Sequence, residues 1–527
     1  MPAGNWIETL SSLENIGAVK AAIAALACVL IVLERRSKLS TRWRQLIAAA
    51  VAAAAVCGYF HFYQLEHKAF YHRWEFFHYY LGSKYTQELG YERLYHCAAL
   101  ADAETGNLKS VRHRRMRDLT VDLLVPASQA LDNPGWCKDH FSPARWDQFK
   151  SDVVWFRAAS GSGKWWNDMQ GDHGYNPSPV WTLTGHALAS IAPPGDGFFK
   201  GLAAIDVTLT ALVFIALGWA FGWRVLLVAA VYWATQEPAS FFWTGGAFLR
   251  QDWLLLTVLA VALLRKGWFF WAGVALAWAS LLRVFPALLW AGPLVVTAAH
   301  LWRKRALAPS HRNMLLGGAL ACAILVPSSM HVAGKDSFRE FAHHIRVHDA
   351  SPITNHMSLR TVLSSTPEGR MKYTVDPERI EPMHRWQDAR RARFASLQWL
   401  FYGVNAAVIA AFAFACWKMR TLWLTVPLGL ALVVCMVDPT CYYYSVWILA
   451  AVLTRANRTL ELPVIGAALA SQMLSWNTQF ADDKYASLAA LYVGFTVGLL
   501  WFFMRDPRSH PRSGAPFPRS DGGSASS

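Results

Sequence analysis

Apolar runs separated by short polar or basic segments recur from near the start of this chain almost to its end. An α-helix needs about 20 mostly apolar residues to cross a bilayer, so uncharged runs near that length are typical of membrane spans. The pattern therefore predicts an all-α, polytopic integral membrane protein with about thirteen transmembrane helices. The predicted spans are residues 17–33, 46–62, 201–221, 225–240, 251–265, 268–284, 287–302, 313–331, 398–418, 421–437, 442–454, 461–476 and 486–504.

Composition and charge support this class and set the orientation. The chain of 527 residues is 54% apolar or aromatic, and its 50 Lys and Arg residues outnumber 35 Asp and Glu residues, giving a net charge of +15. The basic residues form short clusters beside the apolar runs, so they predict positive-inside topology and no nucleic-acid partner. With the predicted spans all of these clusters fall on one side, which is then cytoplasmic, and the N-terminus lies outside.

One short apolar segment decides the orientation of the spans that follow it. VWTLTGHALASIA, residues 180–192, is too short to cross a bilayer in the ordinary way. Counting it as a span would move later basic clusters to the outer face. We therefore predict that it is a re-entrant or interfacial helix.

The spans and the segments between them divide the chain into six regions. Two long segments rich in polar and aromatic residues lie on the predicted outer side, and the Pro/Ser/Gly-rich tail is predicted to be disordered. The regions are the N-terminal spans (1–62), the first outer loop (63–200), the transmembrane core (201–331), the second outer loop (332–397), the C-terminal bundle (398–504) and the cytoplasmic tail (505–527).

The eight cysteines show no CxxC spacing, which disfavours a zinc or redox motif. Most of them lie in or beside apolar runs, as expected of core residues. Cys97 and Cys137 share the first outer loop. They can form a disulfide if that loop faces an oxidising compartment.

An acidic and aromatic segment begins the first outer loop. In HRWEFFHYY, residues 72–80, Glu75 and Tyr79 share one face of a helix. A partly desolvated carboxylate beside the membrane has a raised pKa, which suits a general base. The alternative is an aromatic interfacial belt in which Glu75 forms an ion pair with Arg73 or Lys84.

Further short motifs follow along the outer loops and the outer ends of the spans. They are QELGYERLYHC (87–97), DHGYNPSPVW (172–181), WTGGAFLRQDW (243–253), ASLLRVFPALLW (279–290), NHMSLRTVL (355–363) and DPTCYYYSVW (438–447). In this order the series resembles the GT-C superfamily of membrane glycosyltransferases. The closest likeness is to the bacterial polyprenol-phosphate-mannose-dependent mannosyltransferases and their uncharacterised relatives, over roughly residues 60–455.

The resemblance implies roles for residues of the first outer loop. Glu75 stands where the family has its catalytic Asp, and Tyr79 matches the Tyr four residues later. Tyr95 matches the Tyr that closes this element, and Tyr175 with Pro177 matches a Tyr-Pro pair. Glu in place of Asp lengthens the proposed base by one methylene, which leaves open whether Glu75 is the base.

The resemblance also extends to the later motifs. Arg283 stands where the family has Lys, ahead of Pro286, and Arg can bind a phosphate bidentately. A charge inside a span is costly, so Arg283 is a functional candidate, although snorkelling or pairing with Asp252 would also explain it. The remaining matches are Asn355, Ser358 and Leu359 for an Asn-x-Ser-Leu element and Pro439 for a late Pro. The stretch between the motifs QELGYERLYHC (87–97) and DHGYNPSPVW (172–181) is longer than in the family and is interpreted as an acceptor-binding insert.

Two other segments resemble ligand-binding sites. FAHHIRVHD, residues 341–349, could bind a diphosphate or a metal, or could be a solvated helix face. GSGK, residues 161–164, lacks the spacing and the Ser or Thr of a P-loop. Spacing does not bring two acids of the first outer loop together, so no metal site is predicted from Asp102, Asp118, Asp122 and Asp172.

Taken together, these residues predict an inverting, metal-independent hexosyltransferase without a cofactor. It would use a polyprenyl-phosphate sugar donor and a lipid or glycan acceptor at the periplasmic or extracytoplasmic face of a bacterial inner membrane. Glu75 would be the catalytic base. The predicted substrate-binding residues are His78, Tyr79, Tyr95, Tyr175, Asn176, Arg250, Gln251, Asp252, Arg283, His344, Asn355, Arg360 and Tyr443.

Two other functions fit the same sequence. A transporter or flippase could use the intramembrane arginine and the aromatic residues to bind an anionic lipid or solute, with Gly245, Gly246 and Pro286 as helix breaks. A membrane scaffold without catalytic activity would not bring Glu75 and Arg283 into one site.

Overall fold

The computed structural model describes residues 13–34, 36, 40–63 and 70–505. Apart from Arg505, which ends a helix, the predicted cytoplasmic tail lies outside the described residues. Residues 64–69 of the first outer loop also lie outside them.

Long apolar helices dominate the described chain, and each predicted span falls largely on helical structure. Among the described residues, six helices are long and apolar enough to cross a membrane: Asn15–Glu34, Asp196–Phe221, Phe285–Lys304, Pro309–Ala333, Gln398–Lys418 and Ala481–Arg505. Shorter apolar helices are Trp223–Thr235, Phe269–Leu282, Leu422–Met436 and Cys441–Leu453. These helices are consistent with an integral membrane protein, while the count of thirteen spans stays a prediction.

The remaining helices complete the bundle. Thr41–Tyr59, Asp252–Lys266 and Glu461–Asn477 coincide with predicted spans, and the first predicted span belongs to a helix that begins at Leu13. Short helices or helical turns lie at His61–Tyr63, Phe241–Thr244 and Arg458–Leu460.

The first outer loop folds into a small helical unit rather than an irregular loop. Its helices are Arg73–Lys84, Thr86–Leu89, Leu94–Asp102, Leu108–His113, Gln129–Asp132, Gly135–Lys138, Pro143–Ala159, Gly163–Met169 and Pro179–Ala189. Among the described residues, one antiparallel hairpin departs from the predicted all-α fold. It pairs strand Arg115–Asp118 with strand Leu123–Pro126, in a register that sets Arg115 opposite Pro126.

The disulfide that the sequence allowed is present in this unit. Cys97 and Cys137 are joined, with their Cα atoms 5.4 Å apart. The bridge ties the helix Leu94–Asp102 to the short helix Gly135–Lys138. Burial of the aromatic side chains Phe77, Phe149 and Phe156 supplies the apolar core of the unit.

The second outer loop carries the helices Ser337–Asp349, Leu359–Ser364, Met371–Thr374 and His384–Ser396. It contacts the first loop directly, since Glu381 accepts a hydrogen bond from the Leu124 amide over 3.1 Å. Gln87 also donates to the Val332 carbonyl over 3.0 Å. The two outer loops therefore pack together over the same end of the helices.

Two membrane-type helices approach each other closely through glycines. A Cβ on Gly273 would lie 1.9 Å from the Met314 carbonyl oxygen, and one on Gly317 would lie 1.9 Å from the Phe270 carbonyl oxygen. Small residues at a helix interface let two backbones touch, as is common in membrane bundles. Any larger side chain at either glycine would separate Phe269–Leu282 from Pro309–Ala333.

The basic clusters predicted to be cytoplasmic meet at the opposite end of the helices. Arg224 forms ion pairs with Glu34 over 2.6 Å and with Glu461 over 2.5 Å. Arg303 donates to the Trp417 carbonyl over 2.6 Å. These contacts place the basic ends of several helices on one face, as positive-inside topology requires.

Candidate functional site

The segment around Glu75 forms the helix Arg73–Lys84, which begins at the outer end of the bundle. His72 caps this helix, because its Nδ1 accepts a hydrogen bond from the Glu75 amide over 3.2 Å. Glu75 lies in the first turn and is only 5% exposed. The cap therefore fixes the backbone of the predicted base at a buried position.

The carboxylate of Glu75 is held by two donors from a single loop. One oxygen forms an ion pair with the Arg250 guanidinium, and the other accepts a hydrogen bond from the Phe248 amide over 3.2 Å. Burial raises the pKa of Glu75 above its ordinary value, although Arg250, the Phe248 amide and Arg283 each lower it. The result is a desolvated carboxyl with cationic neighbours.

The proposed alternatives for pairing Glu75 are wrong. Arg73 forms an ion pair with Asp196 over 3.6 Å, and Lys84 pairs with Asp152 over 2.7 Å. Arg73 and Lys84 flank Glu75 in sequence, but both point to neighbours in other helices. Glu75 instead pairs with Arg250, far along the chain, which local spacing could not indicate.

Arg250 is itself held in place by an acid from a membrane-type helix. The Asp206 carboxylate accepts hydrogen bonds from the Arg250 amide over 2.9 Å and from the Gln251 amide over 3.0 Å. The guanidinium lies over the ring of Tyr442, 4.4 Å from its centroid. Asp206 and Tyr442 were not predicted, yet a buried acid inside a predicted span is the kind of residue that marks a functional site.

Arg283 lies where the helix Phe269–Leu282 ends, just before the turn Phe285–Trp290. It is 8% exposed, and it donates one hydrogen bond, to the Leu282 carbonyl over 3.2 Å. Its Nε has no partner, and among the described residues no acid forms an ion pair with it. Among the described residues Arg283 and Asp252 form no direct ion pair, although Asp252 acts on Arg283 electrostatically, so the guanidinium remains available to an anionic ligand.

Other buried polar atoms near Arg250 and Arg283 also lack partners within the described chain. They are Gln251 Oε1 and Trp253 Nε1. Buried polar groups are rarely left unsatisfied in proteins, so these atoms indicate a place for ligand groups or water. Asp252 begins the helix Asp252–Lys266 and accepts from the Trp253 amide over 2.7 Å.

Aromatic side chains line both sides of the two arginines. Tyr79 packs edge-on against Trp181, 5.3 Å between ring centroids, and against Tyr175 at 6.2 Å. On the other side Tyr443 contacts Phe285 at 5.1 Å and Trp253 at 5.7 Å. Arg283 acts electrostatically on both tyrosines. Rings of this kind stack on sugar faces and isoprenoid chains through their apolar surface.

The Asn-x-Ser-Leu segment and the late Pro segment lie side by side, as their predicted participation in one site requires. The Met357 amide donates to the Pro439 carbonyl over 2.9 Å, and the Cys441 amide donates to the Asn355 carbonyl over 2.9 Å. Ser358 donates to Asp438 over 2.5 Å. Although burial favours the neutral acid, the neighbouring His356 lowers the pKa of Asp438 to about 2.

Two predicted residues, His78 and Tyr95, lie away from Arg283. They contact each other, 2.6 Å between the Tyr95 hydroxyl and His78 Nε2, and Tyr95 also accepts from the Gly174 amide over 2.9 Å. His78 is further held by the Trp74 carbonyl. Burial lowers the pKa of His78, although Asp172 and the carbonyls of Trp74 and Met169 raise it. These two side chains position the segment that carries Tyr175.

Of three further predicted residues, Asn176 and His344 lie at the junction of the outer loops, and Arg360 lies within the second loop. Asn176 and His344 are hydrogen-bonded, 2.6 Å between Asn176 Oδ1 and His344 Nε2. Arg360 forms a weak ion pair with Asp349 over 3.7 Å and lies over the Phe394 ring at 4.9 Å. A cavity of about 280 Å³ adjoins Arg360 and is lined by Phe401, Tyr402 and Asp438, among others.

Comparison of this chain with protein-family models, with curated proteins and with solved structures finds no match.

Proposed function

We propose that this chain is a membrane glycosyltransferase. It moves a hexose from a polyprenyl-phosphate-linked donor to a lipid or glycan acceptor at the extracytoplasmic face, with inversion at the sugar carbon. The observation that carries the proposal is a desolvated carboxylate, Glu75, which forms an ion pair with Arg250 and lies close enough to the buried Arg283 to feel its charge, in one aromatic site. The motif series resembling the GT-C superfamily supports the same assignment.

The residues suit a single displacement. The Glu75 carboxylate takes the proton of the acceptor hydroxyl, and the oxygen attacks the sugar carbon opposite the phosphate. The bond between that carbon and the phosphate oxygen breaks, and its electron pair leaves with the phosphate. Arg283, which is buried and forms no direct ion pair among the described residues, stabilises the negative charge of this leaving group.

In this mechanism Arg250 acts on both Glu75 and the donor phosphate. Its ion pair with Glu75 keeps the carboxylate ionised in the resting enzyme, because a nearby cation favours the charged form. A donor phosphate that binds both arginines would draw Arg250 away from Glu75. The base would then become stronger once the donor is in place.

The disulfide supports the extracytoplasmic orientation. A bridge between Cys97 and Cys137 persists in an oxidising compartment and is rare in the cytosol. The basic ends of the helices lie on the opposite face, where the positive-inside rule expects the cytoplasm.

The test is transfer of radiolabelled sugar from polyprenyl-phosphate donors in membranes that hold equal amounts of wild type or Glu75→Gln. We expect transfer to fall at least about a hundredfold in Glu75→Gln, since a positioned base contributes about 10²–10⁴-fold. Donor binding should be retained. Glu92→Gln, a change at another partly buried acid of the same loop, is the control and should remain active.

A transporter or flippase is the second candidate. Asp206 is buried within the helix Asp196–Phe221, and the chain leaves helical geometry at Arg283, as discontinuous transporter helices do. Reconstituted vesicles separate the two functions. Movement of an anionic lipid across the bilayer with no sugar transfer from any donor would favour the transporter, whereas transfer without such movement favours the enzyme.

A further inference from the structure

Three ligand-type side chains from separate segments meet where the outer loops join. Asp122 is the last residue of the hairpin turn, His173 lies just before Gly174 and Tyr175, and His348 belongs to the helix Ser337–Asp349. Their donor atoms all lie within 4.8 Å of one another. We propose that Asp122, His173 and His348 bind a Zn²⁺ ion that ties the two outer loops together.

The donor set fits this ion. Zn²⁺ is bound by imidazole nitrogens and carboxylate oxygens, and three protein donors with a water in the fourth position form a common site. His173 Nδ1 already lies 2.8 Å from Asp122 Oδ1. The rings of His173 and His348 are 4.9 Å apart at their centroids. Donors bound tetrahedrally at about 2.0–2.1 Å from zinc lie about 3.3 Å apart, so a small rotation of His348 completes the site.

His348 is the residue that most needs an explanation. Its imidazole makes no hydrogen bond to any part of the chain that the structure describes, and its Nδ1 is shielded from solvent. A shielded ring nitrogen without a partner is unfavourable, because its desolvation is not offset by a hydrogen bond. A metal ion would satisfy it. His344, one turn earlier, keeps its own bond to Asn176.

The surroundings of the site also favour a cation. Asp122 is 5% exposed at its side chain and lies 3.6 Å from Arg117, which holds the hairpin by donating to the Asp122 and Gly171 carbonyls. Asp172 and Glu381 add two further carboxylates close to the site, against the single charge of Arg117. This arrangement supplies both negative charge and second-layer hydrogen bonds that fix the ligands.

Such an ion would order the segment that carries Tyr175 and Asn176. It would connect the hairpin, this segment and the helix Ser337–Asp349, which otherwise meet through a few polar contacts. The proposal does not depend on the glycosyltransferase activity. The site would have the same effect in a transporter.

The test uses the full chain in detergent, stripped with a chelator and then dialysed against Zn²⁺ alone. Elemental analysis should find about one more zinc per chain in wild type than in His348→Ala, and zinc should raise the unfolding temperature of wild type but not that of His348→Ala. His343→Ala, an exposed histidine of the same helix, is the matched control and should bind as wild type does. Equal zinc content in wild type and His348→Ala overturns the proposal.

A second measurement covers the case in which His348→Ala does not fold. Co²⁺ replaces Zn²⁺ in nitrogen and oxygen sites and gives an absorption spectrum that depends on its geometry. Stripped wild type should show the bands of a four-coordinate Co²⁺ site, and these should disappear on adding one equivalent of Zn²⁺. A spectrum identical to that of hexaaquo Co²⁺ would overturn the proposal without any variant. His348→Phe, which retains a ring beside His173, provides a second substitution.

Discussion

The Glu75 carboxylate and the Arg250 guanidinium form a buried ion pair between residues 175 positions apart in sequence. The pair joins the first helix of the outer loop to the loop that precedes the helix Asp252–Lys266. Asp206 fixes the backbone of Arg250, so three separate segments cooperate to hold one carboxylate. This arrangement determines how the proposed base responds to pH.

The first prediction concerns the pH profile of sugar transfer. A base must be ionised, and burial raises the pKa of Glu75, so activity falls with acidification at a pH above the ordinary glutamate value of about 4.3. Arg250 lowers this pKa. Arg250→Gln should therefore move the acid limb of kcat/KM to higher pH. The measurement is kcat/KM for transfer across the pH range, in both proteins.

Arg339→Gln is the control for this experiment, because Arg339 is exposed on the outer surface. It should leave the acid limb in place. An acid limb that moves to lower pH in Arg250→Gln, or does not move, would show that Glu75 is not the titrating base.

The second prediction concerns donor binding by Arg283. Hydrogen bonds to a charged group contribute about 1.5–3 kcal/mol, which corresponds to about 10–150-fold in affinity. Arg283→Gln should weaken binding of a polyprenyl phosphate by about this factor, while Arg283→Lys, which keeps the charge, should lose less. Competition against a labelled donor in detergent measures both.

A matched change tests whether the loss is specific. Lys164→Gln removes a cation that is 89% exposed at its side chain in the same outer loop. It should bind the lipid as wild type does. If Arg283→Lys binds as poorly as Arg283→Gln, shape rather than charge determines affinity, and the assignment of Arg283 to the phosphate would be wrong.

The helices were largely predictable from the sequence, because apolar runs of about 20 residues form few structures other than a membrane-spanning helix. The ranges 201–221 and 398–418 fall within the helices Asp196–Phe221 and Gln398–Lys418. The short segment 180–192 largely coincides with the helix Pro179–Ala189, which Ser178 caps. The hairpin was not predicted, since its strands have only four residues each and the first of them, RMRD, is mostly charged.

The sequence indicated individual candidate residues, but not which of them contact each other, and it missed Asp206 and Tyr442. Sequence order indicated Glu75, Arg250 and Arg283 as candidates. It could not indicate that Arg250, rather than Arg73 or Lys84, pairs with Glu75, because that contact depends on tertiary packing. For the same reason the acids of the first outer loop could not be assigned. Asp122 meets two histidines and no second acid ligand.

The third prediction concerns the disulfide of the first outer loop. Removal of a native disulfide from a small secreted domain typically costs about 2–5 kcal/mol. Cys97→Ser should therefore lower the unfolding temperature of the outer loop, and a reducing agent should lower that of wild type to the same value. Thermal unfolding in detergent, with and without reductant, measures this.

Cys322→Ser provides the control, since Cys322 is an exposed, unpaired cysteine on the helix Pro309–Ala333. Its unfolding temperature should equal that of wild type in both conditions. A reductant that changes nothing in wild type would mean that Cys97 and Cys137 are not joined in the protein.

The fourth prediction concerns the ion pair between Lys84 and Asp152, which anchors the helix that carries Glu75. The charged atoms lie 2.7 Å apart, and both side chains are almost completely buried. Removing one partner of such a pair leaves an uncompensated charge and costs about 3–5 kcal/mol. Lys84→Met should therefore destabilise the protein strongly. Lys84→Met with Asp152→Leu should recover much of the loss, because an apolar pair of similar volume tolerates burial.

Unfolding in denaturant compares both variants with Lys164→Met, at an exposed ion pair, which should change stability little. If the double variant is as unstable as Lys84→Met, the hydrogen bonds that Tyr80 and Tyr85 make to this pair, and not its charge balance, hold the helix.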